Sequence, residues 1–394
     1  MRIGWMFKTE SIIMPAFMDL IGGASWQRGC LPMLNRLGQS IPPLLFSDRI
    51  RNVRLKKKAL CLWTTMAGSC FVVLAMFWWG TGGQNRVWWP WLFLTVYAIF
   101  FVVSGVNQLL FNTLTGKLVV AEQRGRLAAA GSLIGGLAFT VLAFWLLQPW
   151  LDSTPPRFGL IFGTSGLAMI SAVGIAWWFI EAADDPQSDL RSGIEIIANS
   201  SSMVIQDRNF CLLAIAGAMF GMSITLSPHY QAIAREKLNT GYHTLLYWIV
   251  AQQVGAALLS VPAGWYADRF GNRSILRILM GLLCVAPTML IFLQWFDSPY
   301  QFFYLVIFFL LGLTPLLFRF FNTYALEITS PDNHPAYLST ISCCISLPVI
   351  VSSLLVGWLI DVIGLTAVFG CVLLLVIVGW AATFLLAEPR ATDG

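Results

Sequence analysis

Three ionisable side chains, Asp19, Arg36 and Arg319, stand inside long apolar stretches of the sequence. Within a bilayer such a group costs roughly 2.5–3.5 kcal/mol at a helix centre, so each is by default a candidate for function. At a helical rise of about 1.5 Å per residue, Asp19 and Arg36 fall at similar depths of successive stretches. We expect them to form an ion pair whose carboxylate exchanges a proton; a permanent structural pair is the alternative.

Two further carboxylates, Glu10 and Glu327, could assist that proton exchange. Arg319 follows a Thr314-Pro315 break, where proline removes a backbone donor and leaves a carbonyl free for a ligand or water. An arginine beside such a break is a candidate for binding an anionic group. The alternatives are an arginine that extends to the membrane surface and one that pairs with Glu327.

Amide side chains complete the candidate binding residues. Amides at bilayer depth either bond a neighbouring helix or line a wet path. With Arg319, the candidates for solute binding are Asn35, Gln39, Asn107, Gln108, Gln252, Gln253 and Asn322.

Composition sets the class of protein that holds these residues. Of 394 residues, 57% are hydrophobic and 11% are charged, against roughly 25% charged in soluble domains. The apolar surface must therefore face lipid. The net charge of +5 comes from basic residues between the apolar stretches, which indicates membrane orientation rather than nucleic-acid binding.

Motifs for other energy sources and chemistries do not occur in the sequence. It has no Walker-type glycine loop, HExxH, CxxC or haem signature. We therefore expect no enzyme activity, no cofactor and no metal site, and an ion or solute gradient as the energy source.

Twelve apolar stretches approach the roughly 20 residues that a spanning helix needs. They cover residues 5–24, 29–46, 59–80, 88–113, 126–148, 157–181, 209–234, 242–266, 274–296, 301–326, 337–361 and 364–387. With the N-terminus inside, seventeen basic residues fall on the inner side and five on the outer. The positive-inside rule then predicts that both termini are cytoplasmic.

A polar interval divides the spans six and six. We predict an N-terminal bundle (1–181), a cytoplasmic linker with a possible amphipathic helix (182–208), and a C-terminal bundle (209–394). Two short alignments indicate duplication: Pro42–Asn52 matches Pro262–Asn272 in the second span of each half, and Gly105–Asn112 matches Gly312–Arg319 in the fourth. We therefore expect the chain to be a duplicated six-helix unit.

The segment GWYADRFGNR, Gly264–Arg273, resembles the loop signature G-x-x-x-D-R-x-G-R-R of the major facilitator superfamily. The resemblance implies an all-α membrane protein with twelve transmembrane helices in two pseudo-symmetric six-helix bundles. Asn272 departs from the pattern, and the first-half copy keeps only Asp48-Arg49.

The signature suggests an inner-face gate. We expect Gly264 to allow close helix approach and Asp268 to face a helix N-terminus. The segment EQRGR resembles the family's basic loop after the fourth span and offers partners for Asp48; anchoring to lipid phosphates is the alternative. The gating candidates are Asp48, Arg49, Glu122, Arg124, Arg126, Gly264, Asp268, Arg269 and Arg273.

Together these features predict a secondary active transporter that moves a small polar or anionic organic solute by alternating access, with H⁺ as the coupling ion. The alternatives are export of amphipathic compounds, facilitated diffusion without ion coupling, and a transporter-like sensor or lipid scramblase. We expect a monomer in contact with membrane lipids, in a bacterial inner membrane, with no nucleic-acid partner.

Overall fold

The protein is helical throughout the part of the chain that can be described. The computed structural model describes residues 2–119, 134–135, 138, 141–183, 207–296, 301–329 and 334–388, and no strand occurs among them. The all-α prediction is confirmed.

In the first half, seven α-helices and one π-helical segment are described. They are α1 (Arg2–Phe7), α2 (Ile13–Leu20), α3 (Ser25–Arg51), α4 (Lys56–Gly80), α5 (Trp89–Leu118), the π-helical segment (Ala143–Leu147), α6 (Gln148–Asp152) and α7 (Phe158–Trp177).

The second half begins its described helices after Asp207. They are α8 (Arg208–Ile224), α9 (Ser227–Leu238), α10 (Thr244–Phe270), α11 (Asn272–Leu293), α12 (Gln301–Leu311), α13 (Thr314–Glu327), α14 (His334–Ile363) and α15 (Leu365–Phe384).

Nine helical stretches among the described residues are long and apolar enough to cross a bilayer. They match nine of the twelve predicted spans. The predicted span 5–24 is instead two short helices, α1 and α2. The helix α3 is long but contains several charged residues, and most of the span 126–148 lies outside the described residues.

Local chemistry explains where several helices begin and end. Asp207 caps α8 by accepting hydrogen bonds from the backbone N–H groups of Asn209 at 2.9 Å and Phe210 at 3.1 Å.

Between α10 and α11 the chain turns at Gly271, whose φ of +85° is a conformation that essentially only glycine adopts. This glycine belongs to the signature segment, so the backbone accounts for its presence there.

Three junctions between helices interrupt predicted spans within the described residues. Between α1 and α2 the chain leaves the helix, whereas the α8–α9 and α12–α13 junctions are two-residue turns in which Thr225, Leu226 and Leu313 keep helical backbone angles. In the first break the backbone N–H groups of Ile12, Ile13 and Met14 converge on the carbonyl of Thr9 at 3.4, 2.9 and 3.1 Å. Discontinuous helices of this kind form substrate and ion sites in transporters, because irregular backbone is tolerated in a membrane only where protein or a cavity satisfies it.

The described chain forms two compact units. One contains Met1–Ala24, Leu34–Gly193 and Gly241–Leu246, and the other Ser25–Met33, Ile194–Thr240 and Tyr247–Gly394. Within the first, α4 packs on α5 and α7; within the second, α8 packs on α14 and α15. The predicted linker 182–208 lies largely outside the described residues, so that division stays a prediction.

Glycines allow close helix packing in the first unit. Gly105 of α5 lies against the backbone of Gly38 in α3, and a Cβ atom at Gly105 would collide with the Gly38 carbonyl. At Gly264 a Cβ added to the backbone meets no heavy atom within 4 Å among the described residues, so the close helix approach expected there stays a prediction. Among the described helices, Gly105 shows such an approach.

We expect Gly105→Ala to lower the free energy of unfolding by about 1–3 kcal/mol, because the added methyl group overpacks the contact with Gly38. Gly264→Ala is the matched control, and a helix-favouring residue in open space should leave stability unchanged or slightly higher. Thermal unfolding of both variants in detergent measures the difference. Equal melting temperatures would contradict the packing account.

Candidate functional site

A buried ion pair lies in the break between α1 and α2. The Nζ atom of Lys8 is 2.6 Å from Oε1 of Glu10. The Lys8 side chain is fully buried, whereas 28% of the Glu10 side chain is exposed. Because a buried charge without a counter-charge is strongly destabilising, each of these two residues needs the other.

Aromatic rings of α1 and α5 surround the Lys8 ammonium. Its Nζ atom lies 3.7 Å from the ring centroid of Trp5, 4.4 Å from that of Phe101 and 4.6 Å from that of Phe100. The ring faces attract a cation, and the attraction is larger where water is excluded. The rings therefore hold the ammonium in place and close it off from water.

The neighbouring helix α3 supplies two polar residues to the same pair. The Asn35 Nδ2 group donates a hydrogen bond to Oε2 of Glu10. The Glu10 charge also acts on Arg36, one residue further along α3. Gly38 brings α3 close to α5, so the same packing contact that joins these helices positions Asn35 and Arg36.

The cluster of Lys8, Glu10, Asn35 and Arg36 lies away from both ends of the first unit. Phe100 and Phe101 are near the middle of α5, a helix of 30 residues. On the other side of α1, the Ser165 hydroxyl in the middle of α7 donates to the Gly4 carbonyl at 2.9 Å. The charges therefore lie beside the middle of α5 and not at its ends.

The structure adds Glu10 to the predicted pairing. Glu10, Asn35 and Arg36 were separate candidates from sequence and are brought together here. Asp19 is partly buried near the end of α2, and its pairing with Arg36 stays a prediction. The equal depths predicted for Asp19 and Arg36 required one continuous helix over 5–24, whereas the chain is broken after α1.

Sequence reasoning missed Lys8, which was counted only as a basic residue at the inner end of a span. The available signal was the spacing: Lys8 and Glu10 are two residues apart, on opposite sides of a continuous helix. Such a pair can face one another only if the helix is broken between them. A lysine and a glutamate at this spacing inside an apolar stretch thus indicate a break.

Two amides of α5 make helix contacts. Asn107 is fully buried, and its Oδ1 accepts a hydrogen bond from Thr64 of α4 at 3.0 Å. Gln108 donates to Asn112 one turn along the same helix at 2.8 Å. Asn107 therefore joins helices rather than lining a solute path, because its side chain has no exposed surface. Gln39 of α3 is exposed.

In the second unit, Arg319 is exposed on α13. Asn322, one turn further along, is half-buried, and its Oδ1 has no hydrogen-bond partner among the described residues. Gln252 and Gln253 are half-buried on α10. These residues keep side-chain surface that a solute could contact.

Glu327 holds two helices together. Its Oε1 accepts a hydrogen bond at 2.6 Å from the Nδ2 group of Asn272, the first residue of α11. This contact gives Glu327 a packing role at the end of α13, in addition to the proton-exchange role predicted for it.

Arg273 of the signature binds the chain after α15. Its guanidinium pairs with Glu388 at 2.9 Å and donates to the Leu386 carbonyl at 3.0 Å. Asp268 and Arg269 are exposed at the end of α10, and Arg269 lies 5.6 Å from the ring centroid of Trp265. In this structure Arg273 contacts a carboxylate and a carbonyl group of the protein. The alternative expectation was a contact with lipid phosphates.

Of the remaining gating candidates, only Arg49 has a described side chain. Arg49 is exposed, 5.5 Å from the ring centroid of Phe46. The Asp48 side chain, Glu122, Arg124 and Arg126 lie outside the described residues.

We expect Lys8→Met to lower the free energy of unfolding by roughly 3–5 kcal/mol, because it leaves the Glu10 carboxylate without its buried ammonium partner. The double variant Lys8→Met/Glu10→Gln should recover most of that loss, since both charges are gone. Chemical unfolding in mixed micelles measures the three proteins. A double variant less stable than Lys8→Met would show that the pair contributes little.

Comparisons with known proteins agree with this architecture. Residues 210–394 match the family model of the Major Facilitator Superfamily, whereas no curated protein matches the sequence. Crystal structures with a similar fold include a mutant of the nucleoside transporter NupG, with a TM-score of 0.76, 10% identity and coverage of 98% of this chain and 96% of that one. A D-xylose-proton symporter aligns with a TM-score of 0.69 and 13% identity over 99% of this chain and 97% of its own.

A bacterial homologue of the human lysosomal transporter Spinster aligns with a TM-score of 0.62 and 13% identity, covering 98% of this chain and 94% of its own. At these identities the likeness establishes the fold alone, and the family model covers the second half of the chain. This chain is therefore an integral membrane protein whose fold is that of these transporter structures, and its residues 210–394 match the Major Facilitator Superfamily model.

Proposed function

We propose that this protein is a proton-coupled secondary transporter of a small polar or anionic organic solute, and that Glu10 is the residue that carries the proton. The observation that carries the proposal is the Lys8–Glu10 pair in the break between α1 and α2. Structural similarity to a nucleoside transporter and a D-xylose-proton symporter supports a polar organic solute.

Exposure favours Glu10 over Lys8 as the group that exchanges a proton. Glu10 keeps 28% of its side chain exposed, so water can deliver a proton to it, whereas Lys8 is closed off. Its ionised form is stabilised by the Lys8 ammonium and by the Asn35 amide. A carboxylate with these neighbours has two well-defined states, charged and neutral.

Protonation of Glu10 can drive a conformational change through its contacts. The ionised carboxylate links the break after α1 to Asn35 of α3, and the neutral form loses its attraction to Lys8 and Arg36. A ligand shifts a conformational equilibrium only by interacting differently with the two conformations. The proton meets this condition, because the ionic contacts that it removes join two elements of the first unit.

We assign solute binding to residues of the second unit. Arg319 lies just after the break between α12 and α13, and Asn322 and Gln252 have surface left for a ligand. We include Asp268 and Arg269, at the end of α10, as inner-face gating residues. A bacterial inner membrane, cytoplasmic termini and a monomeric state complete the proposal.

In proteoliposomes, we expect Glu10→Gln to abolish solute accumulation driven by a pH gradient while solute exchange continues, since a permanently neutral residue 10 cannot release a proton. The solute is first chosen by a melting screen that includes nucleosides, D-xylose and short peptides, because a ligand of the folded state raises the melting temperature.

Asp19→Asn is the matched control, since it neutralises the other carboxylate of the same predicted span. It should retain accumulation driven by the pH gradient. If Glu10→Gln still accumulates solute against its gradient, Glu10 is not the coupling residue; if only Asp19→Asn fails, the role belongs to Asp19.

A further inference from the structure

A proton on Glu10 removes the negative charge that faces Lys8. The ammonium cannot turn to water instead, because its side chain has no exposed surface and the rings of Trp5, Phe100 and Phe101 enclose it. A cation held in this way is stabilised by a neighbouring anion. When Glu10 is neutral, an anion that enters beside Lys8 keeps the ammonium paired; without one, Lys8 can lose its own proton instead.

The surroundings of Glu10 restrict where that charge can enter. Among the described residues, the Lys8 ammonium and the Asn35 amide contact Glu10, and the Glu10 charge also acts on Arg36 of α3 and on the Tyr97 hydroxyl of α5. Two of these four are cations, and the partly exposed side of the pair is Glu10 itself. An incoming group thus reaches Lys8 past Glu10, along a surface that favours negative charge.

Asn35 can accommodate both forms of Glu10. Its Nδ2 group donates to the ionised carboxylate, while its Oδ1 atom is buried and has no hydrogen-bond partner among the described residues. A rotation of the amide by half a turn presents Oδ1 to Glu10, where it accepts the O–H of the neutral carboxyl group. The same side chain therefore holds the residue before and after protonation.

We propose that the transported solute is a monoanionic organic acid whose anionic group replaces the ionised Glu10 carboxylate beside Lys8 when Glu10 is protonated. This inference rests on the proposed function and names its substrate class, and it assigns the anionic group of the solute to Lys8 instead of Arg319. One proton and one anion enter together, so the cluster has the same net charge loaded and empty. Transport then moves one proton with one monoanion and no net charge.

The first test is binding to the full-length protein in detergent, with a panel of benzoate, lactate and gluconate against the neutral analogues benzamide, lactamide and sorbitol. We expect at least one acid to raise the melting temperature and its neutral analogue to have no effect. Above neutral pH its apparent affinity should fall about tenfold per pH unit, because one proton binds with each anion.

Variants identify the site. Glu10→Gln should bind the same acid with a much weaker pH dependence than the wild type, since residue 10 is then always neutral. Lys8→Met should lose binding, and the double variant Lys8→Met/Glu10→Gln, which removes both charges together, provides the same readout if Lys8→Met does not fold. Lys117→Met removes a lysine that pairs with Glu181 at 3.2 Å, outside the cluster, and should bind like the wild type.

The proposal is overturned if no acid of the panel binds, if the neutral analogues bind equally well, or if the double variant keeps anion binding. A second measurement separates it from the proposed function. Proton-driven uptake that generates a membrane current refutes the monoanion while leaving proton coupling intact. Uptake in Glu10→Gln that still follows the pH gradient refutes the coupling role itself.

Discussion

The rest of the first unit is organised around the need to keep one buried ammonium paired. Lys8 has no exposed surface, so its charge must be balanced by Glu10 and by ring faces. That requirement explains the break after α1, because Lys8 and Glu10 would lie on different faces of a continuous helix. It also explains the close approach of α3, which Gly38 and Gly105 permit and which delivers Asn35 to the carboxylate.

The ion pairs of the protein differ in environment, and their energetic roles differ accordingly. Arg273 and Glu388 keep 25% and 21% of their side chains exposed, so water reaches both members of this pair, whereas in the Lys8–Glu10 pair it reaches only Glu10. The Arg273 guanidinium also donates a hydrogen bond to the Leu386 backbone carbonyl, and this bond does not depend on the charge of Glu388. The inner-end contacts of the second unit are thus suited to anchoring the chain after α15, whereas the buried pair changes its energy sharply when one proton binds.

Much of the architecture follows from the sequence because bilayer constraints act on composition. Span length, the excess of basic residues on one side and the signature segment predicted an all-α fold, and Gly271 has the backbone conformation that such a turn demands. Contacts between particular side chains are harder to predict from the sequence. Asn107 and Gln252 look alike in sequence, yet Asn107 is fully buried against Thr64 and Gln252 keeps exposed surface. Helix rotation decides between these outcomes, and an almost uniformly apolar helix gives little periodicity from which to read it.

Helix breaks also explain why the charged cluster could be predicted only in part. The rule that buried ionisable groups are candidates for function singled out Glu10 and Arg36 separately, because it depends on solvation and not on geometry. Pairing depends on geometry, and a break moves the residues that follow it to another face and depth. Since transporter sites are built at such breaks, the positions where sequence-based pairing fails are the positions where function is concentrated. For Glu10, whose partner Lys8 is two residues away, the break after α1 is what allows the two charges to meet.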